Sequence, residues 1–338
     1  MESIELFRRL DKRDDQNVGD PARVDQVVEE IRRSLTADLA VPSTVAGWRA
    51  QALFASLVGA LDGCELMTLV DSGEIYFDGD SVKAPDYFLR LRDGRKLLVD
   101  VKSISIDRKL NLKQVIKFGS NEVARMKRFA SLFEAELYLA IYVEGIHVWL
   151  FLPIGALSDG EGGGYRIALE DGFLQNDLAI LGDHIVGVSS PLEMHVFPDS
   201  SVPNEIVNGS ASFQIGAVKF YSGGKEVTSE TGRKIVLFLM MYGGWEPQEQ
   251  VNSEGGKISR VIWTANPVES TPGENFETVG HLSSMYSRLF ELDSSGPTGP
   301  TSLDIDIDPG SLATLIPHDY ESDDLPLWRF YAAPKTPG

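Results

Sequence analysis

Cysteine is almost absent from this chain: Cys64 is the only one in 338 residues. A single thiol excludes an intrachain disulfide and any Cys-rich zinc site, which fits a reducing, cytoplasmic setting. No apolar run approaches the ~18 residues that a membrane span needs. The opening MESIELFRRLDKRDD is charged and lacks the apolar centre of a signal peptide. The five histidines, His147, His184, His195, His281 and His318, form no H-x-x-x-H or H-E-x-x-H pair, so zinc hydrolysis has no motif. There is no G-x-S-x-G nucleophile elbow. The Gly-rich LSDGEGGGY (157–165) has no lysine and does not match a nucleotide-binding loop.

Positive charge is also scarce: 31 Lys and Arg stand against 50 Asp and Glu, a net charge of −19. Taken whole, that argues against an indiscriminate binder of polyanions. The distribution differs from the total. Residues 90–128 carry twelve basic and four acidic side chains, residues 1–89 nine and seventeen, and residues 129–338 ten and twenty-nine. One basic segment therefore sits in an acidic protein, a pattern expected of a local phosphate-binding surface.

What is present reads as α/β. DPARVDQVVEEIRRSLTADL has Asp20 as N-cap, Pro21 in the first turn and a stripe of Val24, Val27, Val28, Ile31 and Leu35 at helical spacing. VPSTVAG reads as a break, followed by a helix through WRAQALFASLVGALDG with Leu53, Leu57 and Leu61 and a stop at Gly63. ELMTLV reads as a first strand, with a second apolar stretch at IYF. SNEVARMKRFASLFEA (120–135) reads as an amphipathic helix with Val123, Met126, Phe129 and Phe133 inward. ELYLAIYVEG and IHVWLFLPI are continuously apolar and read as central strands, with His147 in the second. PDSSVPNEIVNGSAS (198–212) is the expected domain boundary. Beyond it, TSETGRKIVLFLMMYGGW and FETVGHLSSMYSRLFEL read as helices, KISRVIWTA as a strand, and SLDIDIDPG as an edge strand bearing Asp304, Asp306 and Asp308. The expected organisation is a helical arm at 1–42, an α/β domain at 43–200 and an acidic α+β accessory or partner-binding domain at 210–338.

PDYFLRLRDGRKLLVDVKS (85–103) carries the chemistry. It reads as two strands around a turn, with Asp100 and Lys102 on one face and Leu97, Val99 and Val101 on the other. A two-residue Asp93-Gly94 loop would pair 86 with 101 and turn Asp86 away from Asp100. A three-residue Arg92-Asp93-Gly94 loop would pair 86 with 100 and oppose the carboxylates roughly 5 Å apart. The sequence admits both. In the second register one Mg²⁺ or Mn²⁺ could be held by Asp86, Asp100 and the Val101 carbonyl. Such an ion neutralises charge on a phosphodiester and acidifies a bound water, while a lysine stabilises the developing charge.

Pro85-Asp86, then Asp100-Val101-Lys102, resembles the PD-(D/E)xK motif of the restriction-endonuclease-like nuclease superfamily, over roughly residues 45–155. The resemblance implies a mixed sheet flanked by helices, metal ligation by Asp86 and Asp100, and a catalytic Lys102. Gln51 stands at the plausible place of a first-helix glutamate found in many members, and Glu122 near a polar position of the second helix. Lys113, Lys117, Arg125 and Arg128 are then phosphate contacts. The implied activity is metal-dependent cutting of nucleic acid, DNA rather than RNA, in prokaryotic defence or DNA processing, with dimers common among members. The competing expectation, from the missing glutamate, is a catalytically silent module that binds nucleic acid or protein.

Overall fold

The computed structural model describes residues 21–334 except 72–74, 76–77, 107–110, 161–162, 209, 271–272, 298, 305 and 307. Asp20 and most of IYF lie outside the described residues. Two compact units form, residues 1–49 and 50–338. In the first, helix α1 (Pro21–Leu39) begins at its proline, whose missing N–H costs nothing in a first turn. Of its expected apolar stripe Val27 is buried, whereas Val24, Val28 and Leu35 are exposed. Helix α2 (Pro42–Leu61) runs on into the second unit. The break is confined to Ala40 and Val41, and the rest of VPSTVAG forms the first turns of α2, opened by Pro42 for the same reason as Pro21. The chain leaves α2 through Asp62, at φ 55°. Gly63 follows because a Cβ there would stand 2.1 Å from the Leu181 carbonyl oxygen.

The second unit is mixed α/β. Strands β1 (Cys64–Leu69), β2 (Tyr87–Leu91) and β3 (Lys96–Ser105) are followed by β4 (Val115–Phe118), helix α3 (Ser120–Leu132), β5 (Glu136–Glu144) and β6 (Val148–Pro153). The first sheet has the order β1-β2-β3-β5-β6. Its β3–β5 pair is parallel and its other pairs are antiparallel. A parallel pair needs a long crossover, which β4 and α3 supply. Phe133 does not face inward as expected. It caps α3, lies 45% exposed and stacks on Phe129 at 4.6 Å. His147 is not a strand residue either. It occupies the β5–β6 turn at φ 54°, with Nδ1 2.8 Å from the Tyr142 hydroxyl.

Strands β7 (Ser158–Asp159) and β8 (Tyr165–Ala168) join β4 in a three-stranded sheet of order β4-β8-β7. Helix α4 (Leu169–Leu174) follows, then β9 (Ile185–Val188), β10 (Leu192–Pro198), β11 (Ile215–Ser222), β12 (Lys225–Val227), helix α5 (Glu230–Tyr242), β13 (Pro247–Glu254), β14 (Lys257–Ala265), β15 (Glu277–His281) and helix α6 (Leu282–Asp293). The hairpin of β16 (Ser295–Gly296) and β17 (Gly299–Pro300), helix α7 (Ser311–Leu315) and β18 (Leu327–Phe330) complete the chain. A second five-stranded sheet has the order β12-β11-β10-β14-β13, and β15-β9-β18 make a third of three strands.

FETVGHLSSMYSRLFEL is therefore strand then helix: Glu277–His281 pairs with β9 before α6 begins. Asp304, Asp306 and Asp308 lie outside any strand. Strand β6 is an edge strand of its sheet, not a central one. Its apolar run is buried all the same: α6 covers the Trp149 and Phe151 side, where Trp149 donates to Ser287 Oγ at 3.1 Å, and Leu150 and Leu152 turn into the other cluster.

Strand periodicity sorts the core into two clusters, one on each face of the first sheet. On β3, Leu97, Val99 and Val101 join a cluster that runs from Ala50 on α2 to Leu325. Leu98 points the other way, into a cluster with Val123, Met126 and Phe129 of α3 and Ile116 and Phe118 of β4. The larger cluster is continuous across the boundary expected at 198–212, because α5 and α6 share it with β6.

Candidate active site

The β2–β3 turn decides whether a site exists. Observed partners are Tyr87 with Val99, Phe88 with Leu98, Leu89 with Leu97 and Arg90 with Lys96. Leu91 N–H donates to the Arg95 carbonyl at 2.9 Å, and Gly94 N–H to Leu91 at 3.0 Å. The loop is Arg92-Asp93-Gly94, with Gly94 at φ 94°, the left-handed position that glycine occupies without strain. Asp93 fastens it by accepting from Arg95 N–H at 2.9 Å and Arg95 Nε at 2.8 Å. This is the three-residue register, and carried back to the start of β2 it sets Asp86 opposite Asp100.

Both acids are buried, Asp86 at 7% and Asp100 at 2% exposure. The β2–β3 ladder ends at Tyr87, so Asp86 lies in the gap just beyond it. Its Oδ2 accepts from Val101 N–H at 2.5 Å, and its Oδ1 from Gln51 Nε2 of α2 at 2.8 Å. The N–H and C=O of one strand residue face the same neighbour, so the Val101 carbonyl looks into this gap as well. Asp100 and Lys102 share the α3 face of β3, and Lys102 Nζ lies 2.7 Å from Asp100 Oδ2, an oxygen with no further hydrogen-bond donor. Glu122 of α3 stands 3.6 Å from Lys102 Nζ and bonds Lys83 Nζ through the same oxygen.

Burial raises the Asp86 pKa first, the Asp100 charge adds to it, and the Val101 N–H and Lys102 only partly offset them, leaving it pushed up to about 7. Burial works against the Lys102 charge, but Asp100, Glu122 and Asp86 outweigh it and the ammonium is held above its ordinary value. The Lys83 hydrogen bond draws Glu122 below the usual carboxylate range, with Lys102 adding to the effect. A further acid joins these. Asp71, just past β1, bonds the Asp86 side chain, and its pKa is raised by burial against that bond, with the Asp100 charge also raising it. Val70 N–H donates to the Asp86 carbonyl at 2.9 Å and brings Asp71 in. No motif spacing links Asp71 to the hairpin, so the sequence carried no signal for it.

The donor set suits a hard divalent cation: oxygens alone, from two opposed buried carboxylates whose mutual repulsion a cation would relieve. Asp86, Asp100 and the Val101 carbonyl are the groups that could hold Mg²⁺ or Mn²⁺. No three His, Cys, Asp or Glu side chains form a ready cation cage among the described residues, so water and substrate oxygens would complete the shell. Gln51 commits its amide N–H to Asp86 and so orients that acid.

The four expected phosphate contacts divide. Lys113 and Lys117 are exposed, on the turn before β4 and on β4. Arg125 Nη2 is taken by the carbonyls of Gly79 at 3.0 Å and Val82 at 2.8 Å, and Arg128 pairs with Asp78 at 2.7 Å. These two arginines pin the loop before β2 onto α3. Among the described residues no helix is long and apolar enough to cross a membrane.

No protein-family model matches the sequence, and no curated protein does. Among solved structures, the chain is similar to Archaeoglobus fulgidus Hjc, a Holliday junction resolvase from an archaeal hyperthermophile. The likeness has 21% identity and a TM-score of 0.25, and covers 33% of this chain and 83% of that one. It is a similarity alone and carries no part of the functional argument.

Proposed function

We propose that this protein hydrolyses phosphodiester bonds of nucleic acid, with DNA as the substrate and Mg²⁺ or Mn²⁺ as the cofactor. The observation that carries the reading is the three-residue turn, which opposes Asp86 to Asp100 across the end of a ladder and leaves Lys102 on the same face. A purely structural hairpin gains nothing from a second buried carboxylate in this gap: Lys102 pairs with Asp100, while Asp86 is held by the neutral Gln51 amide and the Val101 N–H.

When bound, the metal ion supplies charge neutralisation at the phosphate and a more acidic water. The chain's own groups do the rest. Asp86 would give up its proton and, with Asp100, hold the ion, with Gln51 and the Val101 N–H fixing how Asp86 turns. Lys102 stays protonated at Nζ, steadied by Asp100 and Glu122, and offers a point charge to the phosphate oxygens. Roles in defence or DNA processing, dimer formation and a protein partner for the acidic half remain part of the proposal, supported by the resemblance of residues 85–102 and by composition.

Labelled plasmid, linear duplex, single-stranded DNA and RNA incubated with Mg²⁺ or Mn²⁺ test it. Cutting by the wild type that disappears in both Asp100→Ala and Lys102→Ala is the expected result. Cutting that survives both substitutions places the activity elsewhere. The rival reading, a silent module, draws on Gln51 as a neutral residue at the helix position. It predicts no cutting and no Mn²⁺ heat that depends on Asp86.

A further inference from the structure

The small sheet β4-β8-β7 contains an arrangement that folding alone does not favour. Lys117 on β4 lies directly opposite Arg166 on β8, and Ser158 on β7 flanks Arg166 from the other side. Directly opposed residues share a face with Cβ atoms roughly 5 Å apart, and like charges so placed destabilise a sheet. That face is turned outward. Lys117 and Arg166 are exposed, while Ile116 and Ile167 on the opposite face are buried in the cluster beneath. Among the described residues no carboxylate forms an ion pair with Lys117, Arg166 or Lys113. Asp159 is opposite Tyr165, on the other face. Lys127 of α3 lies on that inner side, 4.4 Å above the Tyr165 ring and 3.3 Å from its hydroxyl, and stands outside the surface.

We propose that Lys117 and Arg166 form a phosphate-binding surface that grips the backbone of a nucleic-acid strand running from the Asp86–Asp100–Lys102 site. The inference rests on the substrate class proposed above and extends it to a named surface. Two placements connect surface and site. Asp100 and Lys102 point to the side of the first sheet where β4 and α3 pack, and Gln114, at the foot of β4, donates to the carbonyl of Ser105, the last residue of β3, at 3.4 Å. Cations with no carboxylate to satisfy them, in a chain of net charge −19, fit a partner with regularly spaced negative charge. An opposed Lys–Arg pair can bracket one phosphate, the arginine fork through two N–H groups and the lysine as a point charge. Arg125 and Arg128 do not belong to this surface, since their guanidinium groups hold the 78–82 loop.

The test is equilibrium binding of a fluorescein-labelled 30-nucleotide duplex and single strand in EDTA, where affinity is read without cutting. Lys117→Gln/Arg166→Gln should weaken binding at least tenfold at low salt. It should also reduce the slope of log affinity against log salt by about one, for the single phosphate the pair brackets. Arg128→Gln, which removes one positive charge outside the surface, is the control and should leave the slope unchanged. Lys117→Glu should raise the unfolding midpoint of the free protein, by turning repulsion into a cross-strand ion pair, while lowering affinity. A structural role for Lys117 predicts the opposite shift in the midpoint. An unchanged slope in the double variant, an equal loss in Arg128→Gln, or binding only to phosphatidylserine vesicles and not to either DNA would overturn the proposal. A protein that binds DNA through these residues but never cuts it with metal would remove the catalytic reading and leave this one standing.

Discussion

Asp86→Asn isolates the electrostatic cost of assembling the site. Burial and the Asp100 charge push the Asp86 pKa up to about 7 in the metal-free fold, against about 3.9 for an unfolded aspartate. A raised carboxyl pKa means that the folded state holds the proton more tightly than the unfolded state. Stability from this group is therefore full below about pH 4, drains away as pH rises, and is spent above about pH 7. Some three pKa units at 1.36 kcal/mol each give about 4 kcal/mol lost across that window. Asparagine keeps an oxygen for the Val101 N–H and cannot ionise. Urea denaturation of wild type and Asp86→Asn in EDTA, from pH 4.5 to 8, should show the variant gaining on the wild type as pH rises. The gain should flatten above pH 7. Because the wild-type metal-binding form is ionised at Asp86, its Mn²⁺ affinity should fall about tenfold per pH unit below 7 and level off above it. A stability difference that does not vary with pH would refute the opposed-carboxylate account.

Three further perturbations follow from the same geometry. Gln51→Glu sets a third charge beside Asp86 where the amide now donates at 2.8 Å. Without metal it should cost roughly 1–3 kcal/mol at pH 8, and with Mn²⁺ it should bind more tightly by calorimetry; weaker binding would refute the view of Gln51 as a neutral occupant of a ligand position. Gly94→Ala meets no close atom, the nearest being Arg90 Nη2 at 3.6 Å, but forces an L side chain to φ 94°. It should cost about 1–2 kcal/mol from backbone strain, and a variant as stable as the wild type in denaturation would mean that the turn is not held in the three-residue register. Trp149→Phe gives up a buried indole bonded to Ser287 and should cost about 1–3 kcal/mol. Residues 50–338 should still unfold in one transition followed by both far- and near-ultraviolet circular dichroism, whereas two separated transitions would contradict the continuous core.

The parts of this fold legible in the sequence are those written locally. Strand alternation separated Leu97, Val99 and Val101 from Asp100 and Lys102, and helical spacing picked out Val123, Met126 and Phe129. Gly94 admitted two turns, and sequence could not choose between them, because the choice is made by Asp93 fastening Arg95 and by the packing of β1 on β2. Long-range placement escaped in the same way. Asp71 reaches Asp86 only because Val70 extends a ladder to it. Arg125 looked like a phosphate contact until its carbonyl partners at Gly79 and Val82 were in place. The apolar run of β6 correctly signalled burial on both sides, but a helix more than 130 residues later provides the cover at an edge, where a neighbouring strand was expected.

The charge asymmetry along the chain becomes an asymmetry across the first sheet. Every residue beyond 170 that joins either of these two clusters joins the one beneath Leu97, Val99 and Val101, and none lies in the cluster around α3 and β4. The strongly acidic half is thus anchored on one face, while Asp100, Lys102, Glu122 and the Lys117–Arg166 pair belong to the other. Screening limits the reach of charge to about 8 Å in physiological salt. A phosphate approaching the α3 face therefore responds to the basic segment that builds it more than to the −19 of the whole chain. Net charge argued against a nucleic-acid substrate only as long as the charges were counted without regard to which side of the sheet carries them.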